Sequence, residues 1–258
     1  MRKYRIKIAY DGAGYAGWQL QSNALGVQQV VETALAGLDG APVRVFGSSR
    51  TDAGVHADGL VAHFFLQRPI PAASLARAMN ARLPPDVRVL SAAYAAADFD
   101  ARLSAVGKEY RYRVYVAGLL PPPLARYWTH SHRELDLEAM RDAARRFVGT
   151  HDFVAFAANP DREIATTVRT IFSFDVERHG PRLVFTVRGD GFLYKQVRSM
   201  VGFLLTVGRG RERPAAVDEL LAAASARTAR VETAPAQGLS LVRVFYTHKA
   251  LHAALIAK

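Results

Sequence analysis

The 258-residue chain has no cysteine, which excludes disulfide frameworks, thiolate metal sites and cysteine nucleophiles. That fits a reducing compartment, and a cytoplasmic location is the expectation. No apolar run approaches the length needed to span a bilayer, so no membrane association is expected. Met1-Arg2-Lys3-Tyr4 is followed by residues alternating with Arg5 and Lys7, so the start does not read as a signal peptide. Gly12-Ala13-Gly14 lacks the rest of a dinucleotide fingerprint and no phosphate-loop lysine follows it; a small-molecule cofactor is not expected. There is no Gly-x-Ser-x-Gly elbow for a serine nucleophile.

Half of the residues are hydrophobic, enough to bury a substantial core in one large or two modest domains. Lysine and arginine exceed aspartate and glutamate by 34 − 23 = 11, an excess that points to a polyanionic partner. The 28 arginines against 6 lysines suit bidentate phosphate contacts, although a codon bias toward arginine and alanine would produce the same ratio.

Tyr4, Ile6, Ile8 and Tyr10 alternate with Lys3, Arg5 and Lys7, the period of a strand with one buried and one basic face. Val27, Val30, Val31, Ala34, Leu35 and Leu38 follow at helical spacing. Strands are predicted near 43–46 and 60–66, a helix near 74–83 and a strand near 87–94, giving the order βαββαβ. The pattern restarts at Lys108 with Tyr110, Tyr112, Val114 and Val116, and then a helical stripe through Leu137, Met140, Ala144 and Phe147. Strands near 168–177 and 182–188 are joined by a turn at His179-Gly180-Pro181. A helix over 193–207, a short helix opened by Pro214 and a strand near 240–246 complete the series. The expected class is α+β: two tandem ferredoxin-like halves, 1–104 and 105–258, whose antiparallel sheets flank a central cleft.

The stretch Ser49-Arg50-Thr51-Asp52-Ala53-Gly54-Val55-His56-Ala57 lies between two predicted strands and sets a carboxylate between an arginine and a glycine turn. It reads either as a catalytic aspartate on a rigidly held loop, with Arg50 neutralising the carboxylate or gripping a phosphate, or as an inert hairpin. Tyr15 and Trp18, among the glycines of residues 10–19, serve base stacking or fold back onto the core. Tyr110 sits on a strand with basic neighbours, where its ring can stack on a base and its hydroxyl move a proton, or where it simply packs. Arg198 falls in the second turn of the predicted 193–207 helix, near a terminus that welcomes anions. Nothing in composition marks Leu239, which follows the turn Pro235-Ala236-Gln237-Gly238. His56, Asp58 and His63 are metal-ligand types without zinc-type spacing, so no metal is expected.

In order along the chain, these segments resemble the tRNA pseudouridine synthase A (TruA) family. The resemblance runs from Tyr10-Asp11-Gly12 and Gly17-Trp18-Gln19 through Arg50-Thr51-Asp52-Ala53-Gly54-Val55-His56. It continues in Tyr110-Arg111-Tyr112, Gly191-Phe192-Leu193, Val197-Arg198 and Gly238-Leu239. Two departures from it are visible: Ser49 replaces a usual glycine, and Tyr194-Lys195 replaces histidines found in some members. The resemblance implies isomerisation of uridine to pseudouridine in the anticodon arm, at tRNA positions 38, 39 and 40, by a cofactor-free homodimer. It implies Asp52 as nucleophile or charge stabiliser, Tyr110 against the target base, Arg198 paired with the Asp52 carboxylate, Leu239 lining the pocket and Arg50 touching RNA beside the flipped nucleotide. An aspartate between apolar walls protonates above its free value of about 3.9 unless a cation holds it ionised, a role Arg198 would fill. The rival readings are a non-catalytic RNA-binding protein and a metal-dependent hydrolase built on His56, Asp58 and His63. The chain lacks a convincing RNA-recognition-motif signature for the first.

Overall fold

The computed structural model describes residues 1–158, 165–225 and 227–256. In chain order its elements are β1 (Arg2–Tyr10), α1 (Val27–Asp39), β2 (Phe46–Gly47), β3 (His56–Leu66), α2 (Ala72–Asn80), β4 (Val87–Tyr94), β5 (Gly107–Val116) and β6 (Thr129–Ser131). Then come α3 (Leu137–Arg146), β7 (Gly149–Asp152), β8 (Val168–His179), β9 (Arg182–Gly189), α4 (Gln196–Gly208), α5 (Ala216–Ala222), β10 (Leu239–Phe245) and α6 (His248–Ile256). The class is α+β, and most strand pairs are antiparallel.

The chain forms two compact units, one comprising Met1–Val106 with Ser240–Leu251, the other Gly107–Leu239 with the residues from His252 onward. In the first, the strands lie in the order β4-β1-β3-β2, the ferredoxin-like arrangement of a βαββαβ chain. The alternation along β1 does what its period requires: Tyr4, Ile6, Ile8 and Tyr10 are buried, while Arg5 points out. Val27, Val31 and Leu35 of α1 and Leu75 and Met79 of α2 are fully buried, each worth about 1.5–3 kcal/mol relative to an exposed position. Gly40, at φ +80°, ends α1 with its N–H bonded to the Ala36 carbonyl.

The predicted strand near 43–46 is reduced to Phe46–Gly47. The Val45 N–H donates to Glu32 Oε1 at 3.0 Å and its carbonyl accepts from Gln28 Nε2 at 3.1 Å, so α1 side chains take the bonds a ladder would have used. The rest of that edge of β3 pairs in parallel with β10, through Ser240 opposite His56 and Leu241 opposite Ala57.

The second unit orders its strands β5-β9-β8-β7, with β6 parallel to β5. The restart at Lys108 is real: Tyr110, Tyr112, Val114 and Val116 are buried. Asp136 caps α3 by accepting the Ala139 N–H, and Arg145 and Arg146 occupy its last turn. The predicted 193–207 helix starts three residues late because Lys195 takes a left-handed conformation (φ 59°) and Gln196 Oε1 accepts the Leu193 N–H. The periodicity did not reveal β6, β7 or α6; the first two are too short to show a period.

Candidate active site

In the first unit, the loop joining β2 to β3 carries Arg50 and Asp52. Asp52 to Val55 form a turn in which the Val55 N–H donates to the Asp52 carbonyl at 3.1 Å, with Gly54 at φ +77° in the position that demands a positive φ. Asp52 is half-buried and Arg50 exposed. The segment after β1 clamps the loop. Gly54 N–H donates to the Tyr15 carbonyl at 3.3 Å, Trp18 N–H to the Thr51 carbonyl at 3.1 Å, and the Tyr10 hydroxyl lies 2.7 Å from Thr51 Oγ1. A Cβ on Gly12 would sit 2.0 Å from the Val55 carbonyl oxygen, so only glycine allows this approach.

The aromatics of this segment prove to be supports for the loop. Trp18 is 2 % exposed and its indole lies against Gly47, where a Cβ would meet the ring at 2.5 Å. Tyr15 donates to Asp86 Oδ1 at 2.8 Å; burial and then that carboxylate push its hydroxyl up to about 12. The base-stacking reading of these two residues therefore gives way to the packing one. At the far end of the loop, His56 Nδ1 lies 3.0 Å from the Gly12 N–H and 3.2 Å from Asp11 Oδ1, tying the motif histidine to the same segment.

No group of three or more metal-ligand side chains is gathered among the described residues. His56 and His63 direct their Nδ1 atoms to different main-chain N–H groups, Gly12 and Ala101. His63 is further held against Phe46 at 5.1 Å and edge-on to Phe99 at 6.1 Å.

The second unit carries Tyr110, Arg198 and Leu239. Tyr110 is buried, its ring edge-to-face with Phe192 at 5.2 Å, which joins two of the sequence segments in one contact. Arg198 lies in the first turn of α4, not the second, because the helix starts late. Its Nε donates to the Ala234 carbonyl at 2.8 Å, and its own carbonyl accepts the Ala234 N–H at 3.0 Å. Ala234 belongs to a strap over residues 231–235 that crosses α4 at Gly202, where a Cβ would meet the Glu232 carbonyl oxygen at 2.2 Å. Tyr112 anchors the end of the strap: its hydroxyl donates to the Pro235 carbonyl at 2.8 Å and lies 2.6 Å from Thr129 Oγ1. Gly238 lies against the Tyr112 ring, 2.6 Å from a would-be Cβ, and Leu239 follows, buried.

A family model described as tRNA pseudouridine synthase matches residues 6–103 and 143–247. The chain belongs to the tRNA pseudouridine synthase family. It is 48 % identical over 246 residues to tRNA pseudouridine synthase A of Syntrophotalea carbinolica, covering 95 % of this chain and 97 % of that one. It is 47 % identical over 254 residues to the protein of the same name from Limosilactobacillus fermentum, covering 95 % and 96 %. The corresponding protein of Geotalea uraniireducens is 44 % identical over 248 residues, covering 95 % and 100 %.

The family match spans Arg50, Asp52, Arg198 and Leu239, whereas Tyr110 lies between its two stretches. Sequence reasoning missed Tyr112, Thr129 and the strap. Tyr112 carried a signal, as the second tyrosine of Tyr110-Arg111-Tyr112, but only the fold shows that it anchors the residues leading to Leu239.

Proposed function

We propose that this member of the pseudouridine synthase family isomerises uridine to pseudouridine in the anticodon arm of tRNA, at tRNA positions 38, 39 and 40, with Asp52 as the catalytic carboxylate. Family membership supports the reaction, and the observation that carries the assignment of Asp52 is its mount. Its turn and the adjoining Thr51 are pinned by main-chain bonds to Tyr15 and Trp18, and the turn closes on itself through Gly54, which holds the backbone that presents the carboxylate in one place, as catalysis requires.

The reaction breaks the N1–C1′ bond, turns the retained uracil and joins C5 to C1′, so no atom or electron is gained and neither a redox cofactor nor a metal is needed. A carboxylate serves it by adding to C1′, by adding to C6 or by assisting elimination to a glycal. In this reading Arg198 is the cation that keeps the carboxylate ionised, Tyr110 lies against the base and Leu239 lines the pocket. Arg50 meets the backbone beside the flipped nucleotide. Flipping costs roughly a few kcal/mol, which contacts from arginine and apolar groups offset. The excess of 11 positive charges suits a tRNA partner. The protein acts in the cytoplasm as a homodimer; a light-scattering mass near one chain would contradict that last point.

The decisive experiment is Asp52→Asn, incubated with unmodified tRNA and followed by mapping of pseudouridine. Retained tRNA binding with no product is expected. Undiminished product would remove Asp52 from the chemistry, and binding without product by the unaltered chain would favour a non-catalytic RNA-binding protein.

A further inference from the structure

The two bonds between Ala234 and Arg198 fix the arginine only as well as the strap itself is fixed. At its start the strap is held by a guanidinium fork. Arg227 directs Nε to the Val231 carbonyl at 2.7 Å and Nη2 to the same oxygen, while Nη1 donates to Ser199 Oγ at 3.2 Å. Ser199 is fully buried and is the next residue after Arg198 in the first turn of α4. One planar guanidinium thus ties the beginning of the strap to the helical turn that carries Arg198, and the strap returns to grip Arg198 at Ala234.

The choice of residue at 227 is informative. Burial first, and then the nearby Arg198 charge, depress the Arg227 guanidinium below its ordinary value, so this cation is held where it is penalised. A neutral side chain would hold a loop without that penalty. A second positive charge beside Arg198 favours an anion there, either a carboxylate or a phosphate, and the fork makes contacts that a lysine ammonium cannot reproduce.

We propose that Arg227 is a positioning residue for the reaction: it locks the 231–235 strap onto α4, sets the Arg198 guanidinium in place and strengthens the positive field acting on Arg198's partner. The inference rests on the reading of Arg198 as the cation of the reacting site.

The test compares single-turnover pseudouridine formation on unmodified tRNA, together with tRNA affinity, in the unaltered protein and in Arg227→Met, Arg227→Lys, Arg198→Met and the Arg198→Met/Arg227→Met double variant. Arg227→Met is expected to slow the single-turnover step by about tenfold or more with tRNA affinity changed less than about threefold, and Arg227→Lys to fail to restore the rate. On the Arg198→Met background the same change is expected to cost less than about twofold, because its effect runs through Arg198. Guanidinium ion is expected to recover part of the Arg227→Met loss. The inference is overturned if Arg227→Met reacts at the original rate, or if the full loss persists without Arg198. It is also overturned if both position-227 variants lose cooperative melting, which would make the arginine structural. A fully active Arg198→Met would remove its target. An unaltered protein that forms no pseudouridine would instead defeat the functional reading itself.

Discussion

Gly17 and Thr51 touch through their main chains: a Cβ built on Gly17, which sits at φ +89°, would lie 2.3 Å from the Thr51 carbonyl oxygen and 3.0 Å from the Asp52 carbonyl carbon. Gly17→Ala therefore meets a left-handed backbone, which costs about 1–2 kcal/mol for an L-residue, and a backbone clash that only movement of the loop relieves. The expected outcome is a lowered melting temperature and a fall in the rate of pseudouridine formation larger than the fall in tRNA affinity. A variant as fast as the parent would show that the loop's placement is not critical.

Ser49 occupies a position where a serine backbone is unstrained, since it is not among the described residues with positive φ. Its Oγ is buried and has no hydrogen-bond partner among the described residues. Ser49→Ala should then stabilise the protein by about 1 kcal/mol, the reverse of a typical buried substitution, or about 2–4 °C in Tm for a chain of this size. Calorimetry checks the sign; a clear loss of stability would mean the hydroxyl is bonded after all.

His63 is expected to make the first unit acid-sensitive. Burial, its largest influence, lowers its proton affinity; Asp100 opposes this and Lys3 adds to it. An unfolded histidine takes its proton near pH 6.5, while the folded one does so at lower pH, so between the two the unfolded state binds more protons. Stability should fall as pH drops below about 6.5, and the Ala101 N–H bond to Nδ1 should be lost with protonation. Urea melts of the parent and His63→Gln at several pH values measure this difference. Equal pH slopes would rule His63 out as the source.

Arg50 is exposed, in contrast to the buried Ser49 and Thr51 on either side. If it meets an RNA phosphate, Arg50→Ala should weaken tRNA binding and reduce the slope of log affinity against log salt by roughly 0.7–0.9. Weakened catalysis with an unaltered salt slope would place its action inside the pocket instead.

Much of the site could be read from neighbouring residues. Asp52-Ala53-Gly54 predicted its turn because a positive φ at the third position requires glycine, and that requirement is local. The alternation of Tyr110 and Tyr112 gave the strand and its buried face for the same reason. The supports could not be read in this way. Trp18 and Tyr15 among glycines are equally suited to stacking on a base and to packing, and only contact with Gly47 and Asp86, residues far along the chain, separates the two.

The sequence by itself determined the order of strands and helices apart from β6, β7 and α6, the turn that presents Asp52 and the family, because periodicity, glycine conformation and motif spacing are properties of short segments. The tertiary structure decided where α4 begins, that Val45 bonds to α1 side chains, that Ser240 and Leu241 pair with β3, that Arg198 bonds to Ala234 and that Arg227 bonds to Ser199. Each of those outcomes depends on a hydrogen bond or ladder between residues distant in the chain or on one backbone angle at Lys195, and no periodic pattern in sequence encodes such a bond.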